Sequence, residues 1–282
     1  MQVKVVPNQR RSGVGKRPAR ENRRAWLPQQ ARFCPVLEDA SKSGFLVYPP
    51  LHPQESFQVR LTEQNALRLT FYVGDASGMR APAFAVDMTP SSGTGGIDQT
   101  EIVFLEERAG IDAAMVQQLV DALVTNVNGP PGGIGLRGAF DFLTPEGWDT
   151  VYTAVLNEPQ QPTVPVLTAR IETDWYSQPT EFRYLLQRGD VVSASGGAPI
   201  GQVLFVPRDE VFLADATAEE QVRYASAQQE YWSERHAKER MTNFGATYSY
   251  HYRDMQKAHR DAFGGEGGDV ERHEDERDAE EP

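Results

Sequence analysis

The sequence predicts a mainly β protein of the α+β class, in which a barrel-like core carries one internal helix and a C-terminal helical extension. Residues 67–73 alternate apolar and polar side chains, the period of a half-buried strand. Residues 111–124 place apolar side chains every three or four positions, which is the period of one helix face. A long polar helical pattern follows over 216–243. Together these observations predict strands, then one helix, then strands, then a helical end.

The strands are predicted from short apolar segments bounded by Gly, Pro and Asn. In chain order we expect them at 45–48, 57–61, 67–73, 101–105, 140–142, 148–156, 166–172, 181–187 and 200–206. Gly133, Gly135 and Gly138 fit the spacing of a dinucleotide-binding loop, but such a loop must lie between a strand and a helix. Because a helix precedes these glycines, we interpret them as a connecting loop.

The charge is strongly uneven along the chain, whose net charge is -12. We predict a flexible basic arm over 1–32, a β-rich domain over 33–213, a helical extension over 214–260 and a disordered acidic tail over 261–282. The acidic body disfavours nucleic-acid binding except through the arm. The charged ends suit contacts with a protein or assembly partner. The candidate partner-binding residues are Arg10, Arg11, Lys16, Arg17, Arg23, Arg24 and Trp232.

Composition excludes several classes of protein. The apolar runs are far shorter than a membrane span, and the N-terminus lacks the apolar stretch of a secretory signal. We therefore expect a cytoplasmic or virion-associated protein that is neither secreted nor membrane-bound. The single cysteine, Cys34, cannot build a thiolate zinc site, and the five histidines lack metal-ligand spacing. We expect no metal site and no cofactor.

The richest polar cluster spans residues 171–176. Glu172 and Asp174 are one residue apart, so both carboxylates project to the same side of an extended chain, and Trp175 follows them. One interpretation is a general base beside an aromatic platform that stacks on a planar ligand. The other is a turn in which Asp174 bonds its own backbone and Trp175 fills the end of the barrel. The sequence leaves both open.

Three segments, 143–159, 169–186 and 196–207, follow one another in an order that resembles the last motifs of the deoxyuridine triphosphatase and deoxycytidine deaminase superfamily. The shared features are a Pro-x-Gly strand, an acid-Thr-Asp-aromatic hairpin and a Gly-x-Pro-Ile-x-Gln strand. The same order is similar to a family of unknown function found in bacteria and phages. The resemblance implies a β-clip core that forms a homo-oligomer, typically a trimer.

Position by position, the resemblance implies that Glu172 stands where the triphosphatases hold their water-activating carboxylate. It places Trp175 near the base-stacking tyrosine of that family and Gln202 in its barrel-closing strand. We predict Trp175, Gly147, Trp148 and Gln202 as ligand-binding residues. The phosphate-binding motif of that family is missing, because Glu158 stands where a cation is required.

We therefore predict a non-catalytic binding or assembly module on a barrel like that of the deoxyuridine triphosphatases, with a phage association. The alternative is a divergent enzyme that acts on a nucleotide or small polar molecule, with Glu172 or Asp174 as general base.

Overall fold

A computed structural model describes residues 1–21, 27, 31, 34–74, 78–91, 96–105, 111–158, 164–241, 245 and 247–263. The chain divides into two compact units, Met1–Phe212 and Leu213–Pro282. The first unit holds nearly all the strands, and the second is mostly helical.

Among the residues described for the first unit, fifteen strands and two α-helices are found, together with a short 3-10 helix at Gln9–Arg11. The helices are α1 (Pro35–Ser41) and α2 (Ala113–Leu123). The strands are β1 (Lys4–Pro7), β2 (Phe45–Val47), β3 (Glu55–Leu61), β4 (Leu67–Gly74), β5 (Arg80–Pro90), β6 (Ile97–Phe104), β7 (Val124–Val127), β8 (Gly133–Arg137), β9 (Phe140–Leu143), β10 (Trp148–Thr153), β11 (Val166–Leu167), β12 (Ala169–Ile171), β13 (Glu181–Leu185), β14 (Val191–Ser195) and β15 (Gly201–Pro207).

Antiparallel pairing organises these strands into four sheets. Their orders are β14-β3-β4-β5-β6, β11-β13-β8-β7, β12-β10-β15-β2 and the pair β1-β9. The prediction of a mainly β protein of the α+β class is confirmed. Within the part of the chain that the structure describes, none of these sheets closes into a barrel.

One apolar core joins the sheets to α2. The helix begins at its N-cap Asp112, whose carboxylate accepts a hydrogen bond from the Met115 amide at 2.9 Å. The apolar repeat predicted for this helix is confirmed, because Val116 and Val120 are fully buried. On the facing sheet, Phe71 and Phe84 stack with ring centroids 5.3 Å apart.

The N-terminal segment is largely folded, so the prediction of a flexible arm over 1–32 is wrong for residues 4–21. Strand β1 pairs with β9, and Ala19 bridges to Leu46. Arg11 donates two hydrogen bonds to the Glu55 carboxylate, at 2.6 and 2.7 Å. These backbone and charge partners come from distant parts of the chain, so the local composition gave no sign of them. Residues 22–26, 28–30, 32 and 33 lie outside the described residues.

Two of the glycines that we interpreted as a loop, Gly133 and Gly135, lie in strand β8, which pairs with β7 on one side and β13 on the other, and Gly138 follows its end. A Cβ on Gly135 would lie 2.1 Å from the Thr125 hydroxyl oxygen and 2.6 Å from the Glu181 carboxyl carbon. Glycine is therefore required by close side-chain approach, not by a turn.

The second unit contains α3 (Ala218–Ala237), α4 (His251–Phe263) and the short pair β16 (Arg240–Met241) and β17 (Thr247–Tyr248). Helix α3 opens with a capping box between Thr217 and Glu220. The predicted acidic tail lies outside the described residues from position 264 onward.

Candidate functional site

The polar cluster predicted around residue 172 lies at one edge of the sheet β12-β10-β15-β2. In the register of this sheet Ile171 lies opposite Thr150, and Pro207 lies opposite Trp148. The residues that follow β12 and β15 therefore meet the start of β10. This places Glu172 and Asp174 beside Gly147 and beside Arg208, which sequence reasoning had not selected.

Arg208 binds the carboxylates at the centre of this edge. Its Nη2 lies 2.6 Å from Asp174 Oδ1, and its Nε donates to Asp149 Oδ1 at 2.8 Å. Its Nη1 lies 3.5 Å from Glu172 Oε2. Arg170 Nε donates to the other oxygen of Asp149 at 2.6 Å. Two arginines and three carboxylates thus form one ion-pair network, here called the Arg208 network.

The network fixes the charge of its two most buried acids. The hydrogen bond from Arg208 lowers the pKa of Asp174, burial opposes this, and the Gly147 amide lowers it further through a 3.0 Å hydrogen bond. Burial raises the pKa of Asp149, but the hydrogen bonds from Arg208 and Arg170 outweigh it, so the net pKa is low. The same carboxylates raise the pKa of Arg208. A general base needs a pKa near the working pH, and Asp174 is shifted the other way.

Buried threonine hydroxyls hold the 172–175 turn in place. Thr173 Oγ1 lies 2.6 Å from Thr150 Oγ1 and 2.9 Å from Thr144 Oγ1. Thr144 also donates to the Trp148 carbonyl at 2.6 Å. The turn is therefore held against β10 by these hydroxyl hydrogen bonds as well as by the Arg208 network. Of the two interpretations left open by the sequence, the structural turn describes Asp174 in part. Its carboxylate accepts from its own backbone amide, as that interpretation expected, and also from Arg208 and Gly147.

Trp175 lies on the outside of this edge and not at the end of a barrel. Its side chain is 66% exposed, and its indole nitrogen donates to Glu172 Oε2 at 2.5 Å. The Tyr176 ring lies edge-on to it, with centroids 5.5 Å apart. Glu172 is the most open of the three acids, with 46% of its side chain exposed. An exposed aromatic pair beside a carboxylate is suited to contact with a ligand or partner.

The other predicted ligand-binding residues separate into two places. Gly147, with φ of 77°, and Trp148 belong to the edge that holds the Arg208 network. Gln202 lies at the opposite end of the β10–β15 pair, opposite Thr153. Its amide oxygen accepts from the Leu156 amide at 2.9 Å, and its amide nitrogen donates to the Ser43 carbonyl. The Gln202 side chain is buried, and its two hydrogen bonds join two loops. It therefore lies outside the site.

Several basic residues expected to bind a partner already have partners within the chain. Arg11 is held by Glu55, and the Lys16 ammonium lies 4.7 Å from the centroid of the Tyr48 ring. Arg10 and Arg17 are exposed. Arg23 and Arg24 lie outside the described residues.

Trp232, the remaining candidate for partner binding, is 43% exposed on α3, and Arg235 lies over its ring at 4.7 Å.

The described residues contain no group of three or more His, Cys, Asp or Glu that could hold a metal ion. Among the same residues, no helix is both long enough and apolar enough to cross a membrane. Comparison of the chain with protein-family models, with characterised proteins and with solved structures found no match.

Proposed function

We propose that this chain is a non-catalytic assembly module on a β-clip core, and that copies of it associate through helix α3. One observation carries the proposal: α3 is 20 residues long, and none of its residues is buried within the described chain. A helix of this length and polarity gains little stability from propensity alone. Burial against a partner would stabilise it further.

One face of α3 already has a partner in its own unit. His251, at the start of α4, is 1% exposed and lies against this face. Its ring centroid is 5.0 Å from that of Tyr231, its Nε2 is 3.5 Å from Glu234, and its Nδ1 is 3.1 Å from Lys238 Nζ. Tyr231 and Glu234 of α3 and its C-cap Lys238 are three or four positions apart and so define one side of the helix.

The opposite face of α3 has no such partner among the described residues. We call it the α3 stripe, and its members are Val222, Ala225, Gln229, Trp232 and His236. Their spacing of 3, 4, 3 and 4 is that of a coiled-coil seam. The stripe contains no Lys, Arg, Asp or Glu, so two copies meet there without repulsion between such charges. Val222 is 66% and Trp232 43% exposed. A second copy of the chain is the partner that this spacing fits.

The Arg208 network favours this proposal over the alternative of a divergent enzyme. Both candidate bases face the same guanidinium, and the pKa of Asp174 is lowered. An enzyme would also require a free base close to a bound substrate. We propose that the edge bearing Trp175 and Tyr176 contributes a contact surface. A trimer, and a place in a phage particle, are the state and setting that the resemblance implies.

Sedimentation velocity of the full chain tests the proposal. We expect a species heavier than the 31.4 kDa monomer, and its conversion to monomer by Val222→Glu, which places a charge in the seam. Ala227→Glu is the matched control, because position 227 is exposed on the side away from the stripe. A wild-type chain that sediments as a monomer at tens of micromolar would contradict the proposal. So would a Val222→Glu variant of unchanged mass.

A further inference from the structure

A cavity of about 450 Å³ lies between the N-terminal segment and the sheet edge, and none of the proposals above uses it. The segment from β1 to the 3-10 helix supplies one wall, including Val6 and Arg10. Arg137, at the end of β8, and Asp141 and Leu143 of β9 supply another. The cavity therefore exists only because residues 4–11 fold onto β9.

Two guanidinium groups face this space without an anionic partner. Arg137 Nε donates to the Val124 carbonyl at 3.2 Å, which fixes the orientation of its side chain. In the described ranges, neither the terminal nitrogens of Arg137 nor the side chain of Arg10 forms a hydrogen bond or an ion pair. Burial lowers the pKa of Arg137, and the positive charge of Arg10 lowers it further. The two cations are thus close enough to repel, and an anion between them would relieve that repulsion.

One acid shares the cavity, but it leaves the net charge positive. Asp141 Oδ1 accepts a hydrogen bond from the Thr180 amide at 2.7 Å. Burial raises the pKa of Asp141, and the Thr180 hydrogen bond and the Arg137 charge oppose that rise. The carboxylate oxygens of Asp141 lie more than 4.0 Å from the side-chain nitrogens of Arg10 and Arg137, which is beyond ion-pair distance. Among the residues that line the cavity, two cations therefore face one anion. Glu181 and Asp121, which do not line it, also attract the Arg137 guanidinium.

The rim of the cavity is apolar on the side of the two-stranded sheet. Val6 lies opposite Asp141 in the β1-β9 register, so Val6, Asp141 and Leu143 share one face of the pair. Val6 and Leu143 are each 38% exposed. An apolar group seated there would cover both side chains.

We propose that this cavity binds a small molecule with an oxyanion, carboxylate or phosphate, attached to an apolar group. The oxyanion lies between Arg10 and Arg137, whose guanidinium groups match the geometry of such anions. The apolar part lies against Val6 and Leu143. The acids and arginines of the Arg208 network do not line this cavity, although Thr173, between Glu172 and Asp174, does.

Isothermal titration of the full chain with benzoate, phenyl phosphate and inorganic phosphate tests the site. We expect saturable one-to-one binding of benzoate or phenyl phosphate, whichever the anion geometry favours, and weaker binding of inorganic phosphate, which lacks the apolar group. Arg10→Gln should weaken binding about tenfold or more, since it removes a charge-assisted hydrogen bond from an exposed residue. Arg17→Gln is the matched control, because Arg17 is exposed on the same segment and does not line the cavity.

Asp141→Asn gives a change in the opposite direction, which a folding defect would not produce. The asparagine oxygen still accepts the hydrogen bond from the Thr180 amide. The negative charge that repels an anionic ligand is removed, so the affinity for the same probe should rise severalfold. Val222→Glu should leave binding unchanged, which separates this site from the assembly proposal. Absence of saturable binding of all three probes at millimolar concentration would overturn the inference. Equal affinities of wild type and Arg10→Gln, or weaker binding by Asp141→Asn, would overturn it as well.

Discussion

Replacing Asn8 by alanine should detach the N-terminal segment from the body of the first unit. Asn8 is 5% exposed, and its amide nitrogen donates to the Ala122 carbonyl at 3.2 Å and to the Gly138 carbonyl at 3.1 Å. Its amide oxygen accepts from the Arg10 amide at 2.9 Å. Ala122 lies in the last turn of α2, where carbonyls lack partners within the helix. Asn8 therefore joins β1, α2 and the end of β8.

The cost of Asn8→Ala follows from these bonds. Each buried carbonyl left without a donor costs about 1–3 kcal/mol, so two of them give about 2–6 kcal/mol of lost unfolding free energy. For a unit of this size, that loss corresponds to roughly 4–24 °C in Tm. Urea unfolding followed by tryptophan fluorescence measures it. Gln9→Ala, an exposed neighbour, should change the unfolding free energy by less than about 0.5 kcal/mol. An Asn8→Ala variant as stable as the Gln9→Ala control would refute the claim that Asn8 holds the N-terminal segment against the rest of the first unit.

Three further predictions concern the first unit. Arg208 lowers the pKa of Asp174, which therefore stabilises the fold above its ordinary pKa of 3.8 and loses that contribution as pH falls through the lowered value. Arg208→Gln should flatten the fall in stability below pH 4, measured by urea unfolding across pH. Gly201→Ala would place a Cβ 2.1 Å from a carbon of the buried Phe182 ring and should cost about 1–3 kcal/mol in thermal unfolding. Glu172→Gln should leave Tm nearly unchanged, and any accompanying loss of a catalytic turnover would favour the enzyme alternative.

The spacing of apolar side chains predicted those strands and helices in which one face is buried and the other is exposed. The alternation over 67–73 became β4, and the three-and-four repeat over 111–124 became α2. Strand β8 was missed because Gly133 and Gly135 have no side chains to alternate, and their strand is set by neighbours on both sides. Strand β1 was missed because it has only four residues, too few to show a period, and its partner β9 lies more than 130 positions away.

The candidate site was predicted only in part. Glu172, Asp174 and Trp175 are adjacent in sequence and remain together, and Gly147 joins them through a hydrogen bond to Asp174. Arg208 was missed, since one arginine after a strand carries no motif and only the β10–β15 register brings it to these acids. Thr150 and Thr173 were missed for the same reason, because a hydroxyl contact between two strands leaves no pattern in either one.

Disulfide trapping across the α3 stripe tests the central claim most directly. Gln229 is the middle residue of the stripe, and we expect the two helices to pair parallel and in register, which brings Gln229 against its counterpart in the second copy. In a Cys34→Ser background, Gln229→Cys should form a covalent dimer under mild oxidation, because a disulfide requires Cβ atoms about 3.5–4.5 Å apart. Ala227→Cys, on the other side of α3, should remain a monomer. Equal trapping at both positions, or none at position 229, would contradict assembly through the α3 stripe.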